Sequence, residues 1–344
     1  MKALQVREHG DPTEVLDVVD VDLPEPGPGE VRIRVGAGSL NFNDIDRCRG
    51  KLVSVPVPPP YTLGMDVCGV VDAAGDGAAA WVGRRVVAIT KNAIGGLAEY
   101  AIAPAVSVFD APDGLDDAEA TAFVIPFHTG ALALLRRARL VAGETLLVHS
   151  GASGLGTAAI QLGRAVGARV IATVSSPAKA ALCARLGAEL VVDHTSEDFA
   201  EAVLEHTGDA GVDVVYDLAG GAFVGRSWTC VAREGRYLPI GFADDPRNGM
   251  TGQPLRLACI GNFSIVGVML AWVDEVDPGM RRFGFNPFGR ATAGEAHGQL
   301  LELLAAGAIR PHVGRRVALG GAAAALGDHE ARRSVGRTVV EIGA

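Results

Sequence analysis

Residues 146–163 read Leu-Leu-Val-His-Ser-Gly-Ala-Ser-Gly-Leu-Gly-Thr-Ala-Ala-Ile-Gln-Leu-Gly. A short apolar run that breaks into glycines and resumes with helical spacing commits the chain to a buried strand, a tight turn and a helix. Four further runs follow, Arg169–Thr173, Leu190–Val192, Val212–Tyr216 and Arg236–Ile240, each separated from the next by a helical stretch. Like Leu146–His149, they do not alternate between apolar and polar residues, the pattern of strands covered on both faces. One helix has readable ends: Ser176 as cap, Pro177 at the first position and Gly187 just past the last. Repeated βα units predict an α/β fold with a doubly wound parallel sheet.

Ahead of residue 120 the grammar differs. The runs Lys2–Arg7, Glu30–Ala37, Leu63–Ala73, Arg84–Ile89 and Ala98–Ile102 are separated by turns. Pro24, Pro26 and Pro28 precede the second run, and the proline-rich stretch 55–60 precedes the third. Proline sits at edges and turns, so a partly closed β domain is expected. Towards the end a helix over Ala293–Ala306 and strands over Arg316–Leu319 and Arg337–Ile342 suggest a return to that first domain. The segment Asp274–Arg290, with Arg281, Arg282, Phe283, Phe285 and Phe288, fits neither pattern and is either a solvated loop or a lid or subunit contact.

Glycine supplies 45 of 344 residues, nearly double the ordinary share of about 7%. It has no period of three, and hydrophobic residues reach 49%, so neither collagen nor a disordered chain fits. A net charge of −9 argues against nucleic acid or an anionic membrane surface as partner. Five widely spaced cysteines fit free thiols in a reducing compartment. No apolar leader opens the sequence, and the longest apolar stretch, Leu257–Val273, is interrupted by Asn262 and Ser264. A cytoplasmic protein is expected.

The glycine turn carries the first chemical hypothesis. Gly151, Ala152, Ser153, Gly154, Leu155 and Gly156 deliver backbone N–H groups to a helix N-terminus, which suits a pyrophosphate and hence a dinucleotide. Their G-x-x-G-x-G spacing departs from the standard G-x-G-x-x-G, so the argument leans on the strand before and the βα units after. An NAD site places an acid about 20 residues further on, against the ribose 2′-hydroxyl. Here the stretch is Thr173-Val-Ser-Ser-Pro-Ala-Lys179, with no acid. Ser175, Ser176 and Lys179 are donors suited to a 2′-phosphate, with His194 a further candidate, so NADP(H) is expected; the alternative is an ordinary Ser-Pro helix cap with a solvated lysine, and a His194 that sits in solvent. Gly241, after the fifth strand, is a place for backbone to approach the nicotinamide, or a plain strand-end turn.

Several motifs together resemble the medium-chain dehydrogenase/reductase superfamily: Leu40-Asn-Phe-Asn-Asp44, Leu63-Gly-Met-Asp66-Val-Cys-Gly69, Gly95-Gly-Leu-Ala-Glu-Tyr100, Val141-Ala-Gly-Glu144 and Gly336-Arg-Thr-Val-Val. The resemblance is strongest to its zinc-free NADPH:quinone oxidoreductase branch. It implies a GroES-like catalytic domain over 1–124 and 272–344 and a Rossmann NADP-binding domain over 125–271. Zinc-dependent relatives carry ligands where this chain has Asn41, Met65-Asp66 and Ile125, and no cysteine lies between Cys68 and Cys183. The resemblance therefore implies no zinc. It also points to Asn41 and Thr129 as catalytic and nicotinamide-facing residues. Asn41 has the alternative of an Asx-turn, Thr129 that of a helix cap. Asp44 is expected to cap a helix, and His128 is either a proton donor or a core histidine. The branch often has tyrosine two residues after the aspartate; Asp46 departs from that.

Without a metal, the chemistry narrows. Hydride addition to a simple ketone leaves an alkoxide whose conjugate acid has a pKa near 16, whereas a phenol-like anion from a quinone has one near 10. A quinone or α,β-unsaturated carbonyl is thus the expected acceptor of an NADPH-dependent oxidoreductase. The alternatives are an enoyl-thioester reductase and a non-catalytic NADPH-binding sensor or structural protein. An apolar sheet edge near Phe263–Val268 suggests a homodimer.

Overall fold

A computed structural model describes residues 1–51, 57–243 and 252–342. The proline-rich stretch at 55–60 and the segment 244–292 therefore lie partly outside the described residues. The chain divides into two units: Met1–Ile125 with Ala271–Leu301 and Pro311–Ala344, and Pro126–Leu270 with Glu302–Arg310.

The first unit opens with strands β1 (Lys2–Val6), β2 (Leu16–Asp20), β3 (Glu30–Ser39), β4 (Tyr61–Thr62), β5 (Asp66–Ala74), β6 (Arg85–Ile89), β7 (Tyr100–Pro104) and β8 (Val108–Asp110). The second holds β9 (Thr145–Val148), β10 (Arg169–Val174), β11 (Leu190–Asp193), β12 (Val212–Asp217), β13 (Val231–Pro239) and β14 (Ser264–Ile265). The chain then returns to the first unit with β15 (Val313–Ala318) and β16 (Arg337–Glu341).

In the first unit β2-β1-β4 form a small antiparallel sheet, and a larger one runs β15-β16-β3-β5-β6-β8 with β7 also on β3. β16 pairs antiparallel with β3, Val339 opposite Ser39, so the last strand lies beside one encoded within the first 40 residues. Leu4, Ile33, Leu40, Leu63, Val67, Leu97 and Val340 fill its core. The expected run Leu63–Ala73 starts as a strand only at Asp66, with β4 ending just before it at Thr62. Gly64 sits at φ +104°, and a Cβ there would lie 2.4 Å from the Leu97 nitrogen, so the chain turns where the apolar pattern continues. That turn aims Asp66 into the interior.

The second unit is a six-stranded parallel sheet, β11-β10-β9-β12-β13-β14. Crossover helices link most of its neighbouring strands, and the doubly wound α/β fold expected from the alternating runs is what forms. β13 begins five residues before the expected run, with Glu234 in the left-handed region at φ +64° interrupting its regular pattern. Glu144 and Arg236 form a two-pronged ion pair, both contacts 2.8 Å, that ties the start of β9 to β13. Leu147, Ile171, Val203, Val215, Val224 and Tyr237 pack its core.

Among the described residues one helix, Asp117–Arg137, is long and apolar enough to cross a bilayer by length and composition, and most of it is buried inside the protein. The segment expected to fit neither pattern forms an excursion whose ends are pinned. Trp272 bridges Phe288, Val273 N–H donates to the Phe288 carbonyl, and Arg290 N–H donates to Asp274 Oδ1. Between them lies the short helix Pro278–Arg282, capped by Asp277, and after it a fully exposed Phe283.

Candidate functional site

In the second unit the glycine turn does what its sequence requires. Ser153 caps the helix Gly154–Ala165, its Oγ accepting the Gly156 N–H at 3.1 Å. A Cβ on Gly156 would lie 2.4 Å from the Ser150 carbonyl and 2.7 Å from the Gly151 backbone. One on Gly151 would press on Ala172 and Cys183. The turn is therefore packed against its own backbone, and Ala152 within it is buried. Gly154 and Leu155 open the helix half-buried, as a ligand-receiving N-terminus must.

Polar groups behind the turn hold it in place. His149, at the end of β9, is fully buried. Ser227 donates its hydroxyl to the Phe223 carbonyl, so it can only accept from His149 Nε2, at 2.8 Å, which leaves Nδ1 to accept from Thr173 Oγ1 at 3.0 Å. Burial depresses the imidazole pKa and keeps this tautomer neutral. On the other side of β9, the Asp217 carboxylate accepts from Ala219 and Gly220 N–H and from the Tyr237 hydroxyl. Its backbone carbonyl accepts from Ile240 and Gly241. Gly241 is glycine because a Cβ would meet the Leu218 carbonyl at 2.4 Å; the close approach is to this neighbouring loop.

At the end of β10 the three expected donors come together. Ser176 caps the helix Pro177–Leu186, and Gly187 closes it in the left-handed conformation. Lys179 Nζ donates to Ser175 Oγ at 3.0 Å, which parks the ammonium at the helix N-terminus. His194 follows β11; its N–H donates to the Val174 carbonyl and its ring stands edge-on to Phe223, which sets it at the adjoining strand end. Asp193, the nearby acid, has its carboxylate turned onto the Thr195 N–H and hydroxyl. Thr129 is buried in the last turn of the helix Asp117–Gly130, so the N-terminal capping alternative is corrected: that position lies too far along the helix to cap its start. His128 beside it is fully buried.

The first unit holds a buried polar cluster. Asn41 is the residue before the helix Phe42–Cys48, and it forms a capping box with Asp44. Its Nδ2 reaches the Ser39 carbonyl at 3.2 Å and Asp66 Oδ1 at 2.9 Å, and its Oδ1 accepts from Arg337 Nη2 at 2.8 Å. Arg337 pairs with Asp66 at 3.0 Å, and both are nearly inaccessible to solvent. Asp44 supplies its half of that box, its Oδ2 accepting the Asn41 N–H at 2.7 Å. Asp46 is half-buried, and burial raises its pKa. Sequence reasoning missed Ser39 and Arg337 and counted Asp66 only as a non-ligand. Among the described residues no three His, Cys, Asp or Glu side chains are grouped to hold a metal ion.

Asp44 supplies a pH prediction. Burial, with Asp66 nearby, raises its pKa from 3.8 to about 6, and its Oδ1 has no hydrogen-bond partner. The folded state then binds the proton more tightly than the unfolded one. The favourable contribution is complete below pH ~4 and is lost as pH rises through about 6. Denaturation of Asp44→Asn should therefore lack a loss on the order of 3 kcal/mol between pH 4 and 7. A variant whose stability profile runs parallel to the wild type contradicts this.

The sequence pattern of the alcohol dehydrogenase GroES-like domain matches residues 27–113, and that of the zinc-binding dehydrogenase family matches residues 154–283. Human quinone oxidoreductase is 30% identical over 215 residues, 61% of this chain and 63% of that protein, so the match spans less than two thirds of that relative. The solved quinone oxidoreductase of Pseudomonas syringae pv. tomato DC3000 is 31% identical and superposes with a TM-score of 0.85, covering 99% of both chains. Escherichia coli quinone oxidoreductase, solved in complex with NADPH, is 26% identical at a TM-score of 0.85, covering 99% of this chain and all of that one.

Proposed function

Because the chain belongs to the medium-chain dehydrogenase/reductase superfamily, in its quinone oxidoreductase group, we propose that it is a zinc-independent, NADPH-dependent oxidoreductase that reduces a quinone or an α,β-unsaturated carbonyl. The observation that carries the cofactor choice is the Lys179–Ser175 contact at the end of β10, with Ser176 beside it. These groups donate, and the acid an NAD site requires is not among them. Gly151 to Gly156 would take the pyrophosphate on the helix N-terminus, and Ser175, Ser176, Lys179 and His194 the 2′-phosphate.

NADPH supplies a hydride from its nicotinamide when bound. Asn41 and Thr129 would orient that ring, and Gly241 would border it. Where zinc-dependent relatives have a ligating cysteine, Asn41 sits in an arginine–carboxylate cluster with no thiolate or imidazole in its contacts. That donor set suits hydrogen bonding to an organic group, and orientation then does most of the work. The test is NADPH oxidation against quinones, small enones, enoyl thioesters and simple aldehydes. Turnover confined to enoyl thioesters would favour the thioester reductase, and silence on every acceptor despite tight NADPH binding the non-catalytic reading.

The same reading places the protein in the cytoplasm as a homodimer. All five cysteines are free, which suits a reducing compartment. β14 is an outer strand of its sheet, and on the preceding helix Arg256–Gly261 the side chain of Ile260 is 67% exposed. An open edge beside exposed apolar surface invites pairing with another copy. Light scattering should give twice the mass of one chain, and Ile260→Glu should shift it towards the monomer; a wild-type monomer refutes the assembly.

A further inference from the structure

His149 stands where three elements of the second unit meet. It follows β9, and its ring reaches β10 through the Thr173 hydroxyl and the helix Ala222–Thr229 through Ser227. All three side chains are fully buried. Phe199 and Phe223 pack edge-on against the imidazole, with centroids 4.8 and 5.1 Å away. A buried polar network with every member satisfied fixes one arrangement, which an apolar side chain at this place would not. Both arms of the network lead to the groups assigned to the 2′-phosphate. Thr173 lies two positions before Ser175, so the hydroxyl held by His149 fixes the strand end from which Ser175 and Ser176 turn. Phe223 shares a helix with Ser227 and also meets the His194 ring, at 5.0 Å between centroids. The glycine turn is held by other means. Gly151 N–H donates to the Thr173 carbonyl at 3.0 Å, and Gly156 packs on the backbone of Ser150 and Gly151.

We propose that His149 is a positioning residue for recognition of the 2′-phosphate, acting through Thr173 on Ser175 and through Ser227 and Phe223 on His194. It never touches the phosphate. It sets the two flanks of the site relative to each other, and so contributes to the choice between NADPH and NADH from behind the sheet's end. This rests on the reading of Ser175, Ser176, Lys179 and His194 as the phosphate site. Binding of the pyrophosphate, which both cofactors carry, does not depend on it.

Dissociation constants for NADPH and NADH, measured on the wild type, Thr173→Val, Thr173→Ser and His149→Leu, test this. Thr173→Val keeps the shape of the strand and the carbonyl that holds Gly151, and removes the hydroxyl alone. It should weaken NADPH binding by about fivefold, the worth of one hydrogen bond, and leave NADH within about twofold of the wild type. Thr173→Ser restores the hydroxyl and should return NADPH to within about twofold of the wild type. His149→Leu cuts both arms and should cost NADPH about tenfold or more, again with little change for NADH. It also leaves two buried hydroxyls without their partner, which is destabilising, so melting curves accompany each variant. Thr173→Val carries the test if His149→Leu does not fold. Equal losses for the two cofactors in Thr173→Val would overturn the inference, since a merely structural role moves both together. So would an unchanged ratio, or a Thr173→Ser as weak as Thr173→Val. A wild type that binds NADPH no more tightly than NADH overturns instead the reading of the phosphate site on which the inference rests.

Discussion

Gly156→Val should weaken NADPH binding by about 100-fold or more and lower stability by on the order of 3 kcal/mol. The first atom of any side chain at this position would fall 2.4 Å from the Ser150 carbonyl oxygen and 2.7 Å from Gly151. Both obstacles are backbone, so no side-chain rotation relieves the overlap. Relief requires moving the 150–151 turn away from the helix, which separates Ser153 Oγ from the N–H it caps and re-aims the donors proposed to hold the pyrophosphate. Gly294→Ala is the matched control. It lies in the helix Arg290–Ala305 with no atom within 4 Å of the added methyl, and replacing a helical glycine by alanine should stabilise by about 0.5–1 kcal/mol. Isothermal titration with NADPH and chemical denaturation of both variants read the two effects. Unchanged binding in Gly156→Val would remove the glycine turn from the cofactor site.

Lys179→Glu should shift the ratio of NADPH to NADH dissociation constants by about 100-fold, almost wholly through NADPH. A charge-assisted hydrogen bond to phosphate is worth roughly 1.5–3 kcal/mol, or about 10- to 100-fold, and the new carboxylate adds repulsion. Since Lys179 Nζ contacts Ser175 Oγ, Ser175→Ala should shift the ratio in the same direction by a smaller factor. NADH has no 2′-phosphate, so its affinity should stay within about threefold of the wild type. Equal losses for the two cofactors would show that Lys179 holds the loop and recognises no phosphate.

What could be read from the sequence was local. The strand before the glycine turn, the Ser176-Pro177 start and Gly187 stop, and the donors at 175, 176 and 179 depend on neighbours a few positions away, and short-range pattern reports them. The capping role of Asp44 belongs to the same class, since its partner is three residues upstream. The cluster around Asn41 was hidden because its parts are remote. Arg337 reaches Ser39 across 298 positions, and no period or motif spacing encodes such a pair. The cap alternative for Thr129 failed because the helix begins at Asp117, well before it, and runs through Pro126. His149 offered a faint signal, a lone polar residue closing an apolar strand. Its partners Thr173 and Ser227 come from β10 and a later helix.

The pairing of β16 with β3 has a consequence for how the protein is made. Ser39, Asn41 and Asp66 leave the ribosome early, yet Arg337, the cation that satisfies them, is translated some 298 residues after Ser39. Until then, a strand edge on β3 and a carboxylate destined for burial wait without their partners, a state prone to mispairing with other chains. The second unit, encoded almost wholly between the two halves of the first, can fold in that interval. A message cut short between codons 311 and 337 would thus release a chain with the second unit's parallel sheet formed and its first unit open, a product fit for capture by proteolysis.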